Sequence, residues 1–213
     1  MSEALRIAII GNGSRALSVL ERLAARLQDQ PDAGVEIHYI DKQHPGTGRI
    51  WRQEQDAAFV MNTVAEEVSA FSGEGDVATA RPGCGPSLAA WWRATRDDFP
   101  GENAWAPRAL YGEYMHFVLN CIKASFSPAQ RFCPRQAEVT DIVPLNNSRA
   151  VLLFRDGETL TVDRVVIASG HPRNSLSEQE QRWQAYADTH PSLRWVPGDS
   201  AADMPLEEIA PGS

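Results

Sequence analysis

Gly11, Gly13 and Ala16 follow a G-x-G-x-x-A spacing. They come directly after the apolar run Ile7-Ala8-Ile9-Ile10 and directly before a segment with Leu17, Leu20, Ala24 and Leu27 at helical intervals. That order has a chemical use. Gly11 allows a tight turn, Gly13 lets the backbone approach a diphosphate, and the small Ala16 lets the helix pack on the strand. Ser14 and Arg15 complete the turn, and the helix N-terminus that follows supplies backbone N–H groups and a partial positive charge for phosphate oxygens. A second, alternating strand, Val35 to Ile40, stops at Asp41, whose carboxylate is placed to accept hydrogen bonds from a ribose. The plainer alternative is that the glycines only shape a turn and Asp41 caps a loop. The agreement of strand, turn, helix, strand and acid favours the dinucleotide.

A second cluster is Val165-Val166-Ile167-Ala168-Ser169-Gly170-His171. A buried strand ending in small residues leaves room at its carboxyl end, where open α/β sheets bind ligands, although an ordinary strand-to-loop turn reads the same way. From His44 to Gly85 the chain is rich in Gly, Pro and small polar residues, a texture that carries backbone close to ligands more often than it builds core. Arg49 and Arg52 there suit phosphate or an anionic substrate, or equally a solvated surface.

These residues need elements to hold them. The first forty residues read as a β-α-β unit, the helix ending in the polar stretch Gln28–Gly34. Glu21, Arg22 and Arg26 fall between its apolar positions. Ser87 caps a helix through Trp92, and another helix is expected from about Ala109 to Ala124. Ala137–Val143, Val151–Phe154 and Thr159–Val162 read as an antiparallel meander, followed by one more buried strand from Arg164 to Ala168 and a polar tail from Pro172. The expected fold is α/β: a Rossmann-like parallel sheet with a helical insertion and an antiparallel β-meander.

Composition narrows the partners. At 213 residues, 43% hydrophobic and 23% charged, the chain is long enough for one globular domain, with or without an insertion. A net charge of -8 repels nucleic acid and anionic lipid. No apolar run approaches the roughly 20 residues needed to span a bilayer, and the first residues lack a signal-peptide pattern, so a cytoplasmic protein without membrane or nucleic-acid partners is expected. Cys84, Cys121 and Cys133 form no C-x-x-C pair and are expected to be ordinary thiols. The five histidines lack metal-ligand spacing, and no metal site is expected. Serine-nucleophile and NTP-hydrolysing motifs are missing too.

Taken together, the motifs resemble the amino-terminal part of two-dinucleotide flavoproteins, in the broad group of class B flavin monooxygenases and N-hydroxylating enzymes. Within that group the chain is similar to a family of bacterial FAD/NAD(P)-binding proteins that includes aspartate N-monooxygenase and a flavin-dependent urate hydroxylase. Gly11 to Leu23 resembles the FAD pyrophosphate loop, and His44 to Arg52 the Gly-rich, Trp-containing segment after the second strand. Met61-Asn62-Thr63 with Arg108 to Tyr114 resembles the central part, and Ala168-Ser169-Gly170-His171 stands where the family has Ala-Thr-Gly.

The resemblance implies FAD as cofactor and NAD(P)H as reductant. It places FAD-binding positions at Gly11, Gly13, Ser14, Arg15, Ala16, Asp41, Gly48, Arg49, Trp51, Asn62, Thr63, Ser169 and Gly170. The substrate would be a small molecule, and no side chain is assigned a catalytic role, because oxygen activation is flavin chemistry. Trp91, Trp92 and Trp105 would face flavin or substrate, or pack in the core. One departure stands out: no second Gly-rich loop follows Gly170. Residues 1–171 are therefore expected to be the FAD/NAD(P)-binding domain, and 172–213 a polar segment leading to a missing nicotinamide-binding domain. A homo-oligomer or a partner chain would then complete the flavin site. A non-catalytic dinucleotide-binding or assembly module left by truncation is the alternative, and an NAD-dependent enzyme using the single unit is a third.

Overall fold

The computed structural model describes residues 4–43, 46–170, 175–193, 195, 196 and 206, apart from the side chain of Asn147. The chain divides into two compact units, Met1–Gly170 and His171–Ser213.

In the first unit, β1 (Leu5–Ile10) leads through the glycine turn into α1 (Ser14–Leu27) and then β2 (Val35–Asp41). A long excursion follows, containing α2 (Leu88–Thr95) and α3 (Arg108–Ser125). The chain returns as β3 (Gln130–Gln136), forms the meander β4 (Val139–Pro144), β5 (Ala150–Phe154) and β6 (Thr159–Val162), and ends the unit with β7 (Arg164–Ile167). The order β3-β2-β1-β7 makes a four-stranded parallel sheet, and β4-β5-β6 is antiparallel.

Alternation along β1 and β2 divides the core between the two faces of this sheet. Ile9, Val35, Ile37 and Tyr39 face α1 and α3, where Leu17, Leu20, Met115, Leu119 and Ile122 are buried against them. Ala8 and Ile40 face the other way and pack on Leu152, Phe154 and Val162 of the meander. Each of these leucines, once buried, contributes about 1.5–3 kcal/mol. The result is three layers: helices, parallel sheet, meander.

Several expectations need correction. β3 had not been anticipated, and the meander starts at Val139; Ala137 N–H instead donates to the Asp41 carbonyl at 2.8 Å, extending the β2–β3 pairing. β7 is not a buried strand, because among the described residues it pairs only with β1 and Ile167 is 67% exposed. The segment after residue 46 does build core, burying Met61, Ala65 and Phe71. Trp91 and Trp92 are core residues, whereas Trp105 is exposed. The Tyr114 hydroxyl ties this segment to α3, donating to the Pro86 carbonyl at 2.6 Å and accepting from Ala70 N–H at 3.1 Å. Burial pushes that phenol up to about 12. The three cysteines are free and half-buried.

The second unit contains α4 (Glu178–Asp188), absent from the sequence reading of the tail. Ser177 and Glu180 begin it as a reciprocal capping box. Trp183 and Trp195 lie with ring centroids 5.1 Å apart. His44, His171 and Pro172 fall outside the described residues. No helix among the described residues is long and apolar enough to cross a membrane.

Candidate functional site

Three parallel strands end side by side, and several of the expected site residues from their loops meet there. Gly11 N–H donates to the Ile40 carbonyl at 2.7 Å, and Ala168 N–H donates to the Ile10 carbonyl at 2.7 Å, so the glycine turn is clasped between the ends of β2 and β7. Gly11 has φ +109°, and a methyl there would overlap the Ala168 carbonyl oxygen. Only glycine meets both conditions. Ser169 and Gly170, the latter at φ +70°, therefore lie beside the turn.

Gly13 has a different task. It caps α1 in an extended conformation, φ -78° and ψ -172°, with no side-chain hydrogen bond to the helix end and no acid in the first turn. A methyl built on it would meet nothing within 4 Å. The helix N-terminus thus opens onto space that its own side chains do not fill, as a phosphate requires. Ala16 is fully buried against the sheet, and Arg15 is exposed in the first turn. A cation at this end of the helix dipole is locally unfavourable unless an anion joins it.

Asp41 is committed in part to the backbone. One carboxylate oxygen accepts from Asn12 N–H at 3.1 Å and the other from Gln43 N–H at 2.8 Å. Each oxygen has a further lone pair, so acceptor capacity for a ribose hydroxyl remains.

Loop 46–52 covers the turn. Gly48 has φ +63°, and a methyl on it would come 2.9 Å from the Gly13 Cα. Trp51 meets Tyr111 edge-on with centroids 4.8 Å apart, and the Arg108 guanidinium lies 5.8 Å from the Trp51 ring. Arg49 and Arg52 are half-buried and joined, Arg52 donating to the Arg49 carbonyl at 3.2 Å. Asn62 and Thr63 are exposed on a segment anchored to residues 104–108 by Met61 N–H to the Ala106 carbonyl at 2.9 Å and Arg108 N–H to the Phe59 carbonyl at 2.7 Å. No described contact brings these two to the glycine turn.

A cavity of about 270 Å³ lies along α1 from Ser14 and Arg15 to Glu21 and Arg22, facing Ser69–Ser72 and Tyr111. Glu21 has a role that the sequence does not announce. It is 1% exposed, and its carboxylate accepts from Gly83 N–H at 2.6 Å, from the Ser72 hydroxyl at 3.2 Å and from Ser72 N–H at 3.3 Å. It clips the excursion to α1. Its position next to Leu20 and three before Ala24 puts it within reach of the buried stripe.

A family model described as FAD-NAD(P)-binding matches residues 8–172, most of the chain and all of the site just described. The chain belongs to the FAD-NAD(P)-binding family. Among curated relatives, nitrosuccinic acid synthase npaA of Aspergillus oryzae is 31% identical over 97% of this chain and 32% of its own length. L-aspartate N-monooxygenase (nitrosuccinate-forming) of Streptomyces davaonensis is 31% identical over 97% of this chain and 35% of its own. The chain thus spans about a third of the length of the curated relatives it matches. Among solved structures, the closed form of cyclohexanone monooxygenase superposes with a TM-score of 0.53 at 17% identity, over 82% of this chain and 28% of that one. A flavin monooxygenase from Stenotrophomonas maltophilia superposes at 0.50 and 16%, over 84% and 43%. These likenesses bear on the fold: a Rossmann-type α/β domain.

Proposed function

We propose that this FAD-NAD(P)-binding chain is the FAD-holding part of an NAD(P)H-dependent flavin monooxygenase. The observation that carries the reading is the open face of Gly13 at an uncapped helix end, set between the ends of β1, β2 and β7. On this reading Gly11 and Ala16 shape the turn, Gly13, Ser14 and Arg15 receive the pyrophosphate, and Asp41 accepts from the adenosine ribose. Gly48, Arg49 and Trp51 close over it, with Ser169 and Gly170 beside it and Asn62 and Thr63 toward the flavin. FAD would supply the oxygen chemistry, and the chain's residues bind and orient it. Residues 1–171 form the FAD domain, and 172–213 lead toward nicotinamide binding. One relative is named for L-aspartate and the other for nitrosuccinic acid, and a small acidic amino acid is the substrate class we assign to the whole protein. Three free cysteines suit a reducing cytoplasm.

The test is a titration of the chain with FAD, NAD and NADP, read as a rise in melting temperature. FAD is expected to bind, and Gly13→Val to abolish its shift with little change in the FAD-free melting temperature, since that side chain would enter space used only by ligand. NADP binding without FAD binding, or a wild-type FAD shift in Gly13→Val, would overturn the assignment. Reduction of FAD by NADPH or NADH in the presence of this chain is expected to be no faster than for free FAD.

A further inference from the structure

We propose that Gly112, within α3, is a positioning residue for the dinucleotide site: it sets how closely loop 46–52 lies over the phosphate turn. This rests on reading that turn as the FAD site. At Gly48 a methyl would come 2.9 Å from the Gly13 Cα and 3.1 Å from the Gly13 N, so loop and turn meet backbone to backbone. Three residues on, the Trp51 carbonyl oxygen lies against α3 at Gly112, where any methyl would overlap it. Two residues before Gly48, Gly46 lies on the His116 ring, which a methyl there would likewise overlap. Positions 112 and 116 are four apart and share one face of the helix. The loop is therefore seated at both ends on a single stripe of α3 and touches the phosphate turn in between.

The loop is stiff enough to transmit a displacement. Gln55 donates to the carbonyls of Ile50 and Arg52 at 3.1 and 2.7 Å, Arg52 donates to that of Arg49, and the Trp51 ring is held by Tyr111 and Arg108. Relieving a methyl–carbonyl overlap at 112 requires a shift of roughly 1 Å to reach normal contact distance. Carried to Gly48, that shift changes the space left beside Gly13. Glycine at 112 is otherwise unfavourable, since alanine is the better helix former, so a glycine with no partner in the loop would gain stability on replacement.

The experiment titrates FAD into wild type, Gly112→Ala and His116→Ala, and follows FAD-free melting and amide hydrogen exchange. Gly112→Ala is expected to raise the Kd for FAD at least about tenfold, to speed exchange in residues 46–53, and to leave the α3 amides protected. His116→Ala, which removes the second seat but favours helix, is expected to raise it about two- to fivefold by the same conversion. A folded Gly112→Ala with wild-type Kd overturns the proposal. Should Gly112→Ala fail to fold, His116→Ala decides: unchanged Kd with unchanged exchange in 46–53 overturns it. No FAD binding by wild type rejects this proposal together with the reading of the turn, whereas equal binding by all three proteins rejects this proposal alone.

Discussion

The phosphate turn and loop 46–52 touch at Gly13 and Gly48, yet they are built in opposite ways. The turn is set by its own neighbours: β1 runs into it, α1 runs out of it, and the ends of β2 and β7 clasp it through two backbone hydrogen bonds of 2.7 Å. Loop 46–52 has no regular structure, and its position is dictated by a helix some sixty residues later in the chain, at Gly112 and His116. A ligand between them would have one wall that the fold fixes and one that tertiary packing adjusts.

The largest effect should come from breaking the fixed wall. Gly11→Ala forces a side chain into a positive φ and against the Ala168 carbonyl, a backbone partner that cannot rotate away. We expect a loss of upward of about 4 kcal/mol, or failure to fold. Chemical denaturation would measure it, and a loss below about 1 kcal/mol would show that the turn relaxes freely. Gly13→Val, two residues away, is expected to leave the fold intact, so the pair separates what the sheet needs from what the ligand needs.

Glu21→Ala probes the anchorage of the excursion. It would strand Gly83 N–H, Ser72 N–H and the Ser72 hydroxyl, at about 2–3 kcal/mol. Exchange should quicken around residues 69–85 while the sheet amides stay protected. Uniform quickening across the sheet would mean that Glu21 belongs to the main core.

The contrast also explains what the sequence revealed. The β-α-β unit was legible because apolar period, turn glycines and terminal acid all lie within forty residues and agree. Gly48 and Trp51 were reached only through resemblance, and Gly112 and His116 as seats of the loop were not reached at all, since nothing local marks a helical glycine as the landing place of a distant carbonyl. β3 escaped because Gln130–Gln136 carries only Phe132 and Cys133 as apolar residues and contains Pro134, tolerable in a strand with one neighbour. The anchoring role of Glu21 was not legible because its donors lie fifty to sixty residues away in the chain.

A smaller effect is expected at the end of β2. Tyr39 is fully buried, and its hydroxyl has no hydrogen-bond partner among the described residues; burial, reinforced by Asp41, raises its pKa far above the usual value. Tyr39→Phe removes an unsatisfied polar atom at constant shape and should raise the stability of the FAD-free protein by about 1 kcal/mol. A loss of stability would mean that the hydroxyl is satisfied in solution.

The smallest effect is a pH dependence, and it compares the sheet with the loop's seat. His38 and His116 both have pKa values lowered from 6.5, in each case chiefly by burial; Glu36 opposes the shift at His38, while at His116 Lys123 adds to it and Glu54 opposes it. The unfolded chain therefore takes up protons near pH 6.5 that the folded chain resists. Their contribution to stability is present above pH 6.5 and is lost as the pH falls through that value toward the folded pKa. The carboxylates whose pKa values are lowered, Asp98, Glu138 and Glu180, titrate below this window. Urea midpoints should thus decline from pH 7.5 to 5.5, and His38→Gln and His116→Gln should each flatten part of the decline. Only His116→Gln should also flatten the pH dependence of exchange in residues 46–53, because its ring lies under Gly46 whereas His38 sits on the opposite face of the sheet from the helices. Equal flattening by both variants would mean that protonation loosens the whole unit rather than the loop's seat.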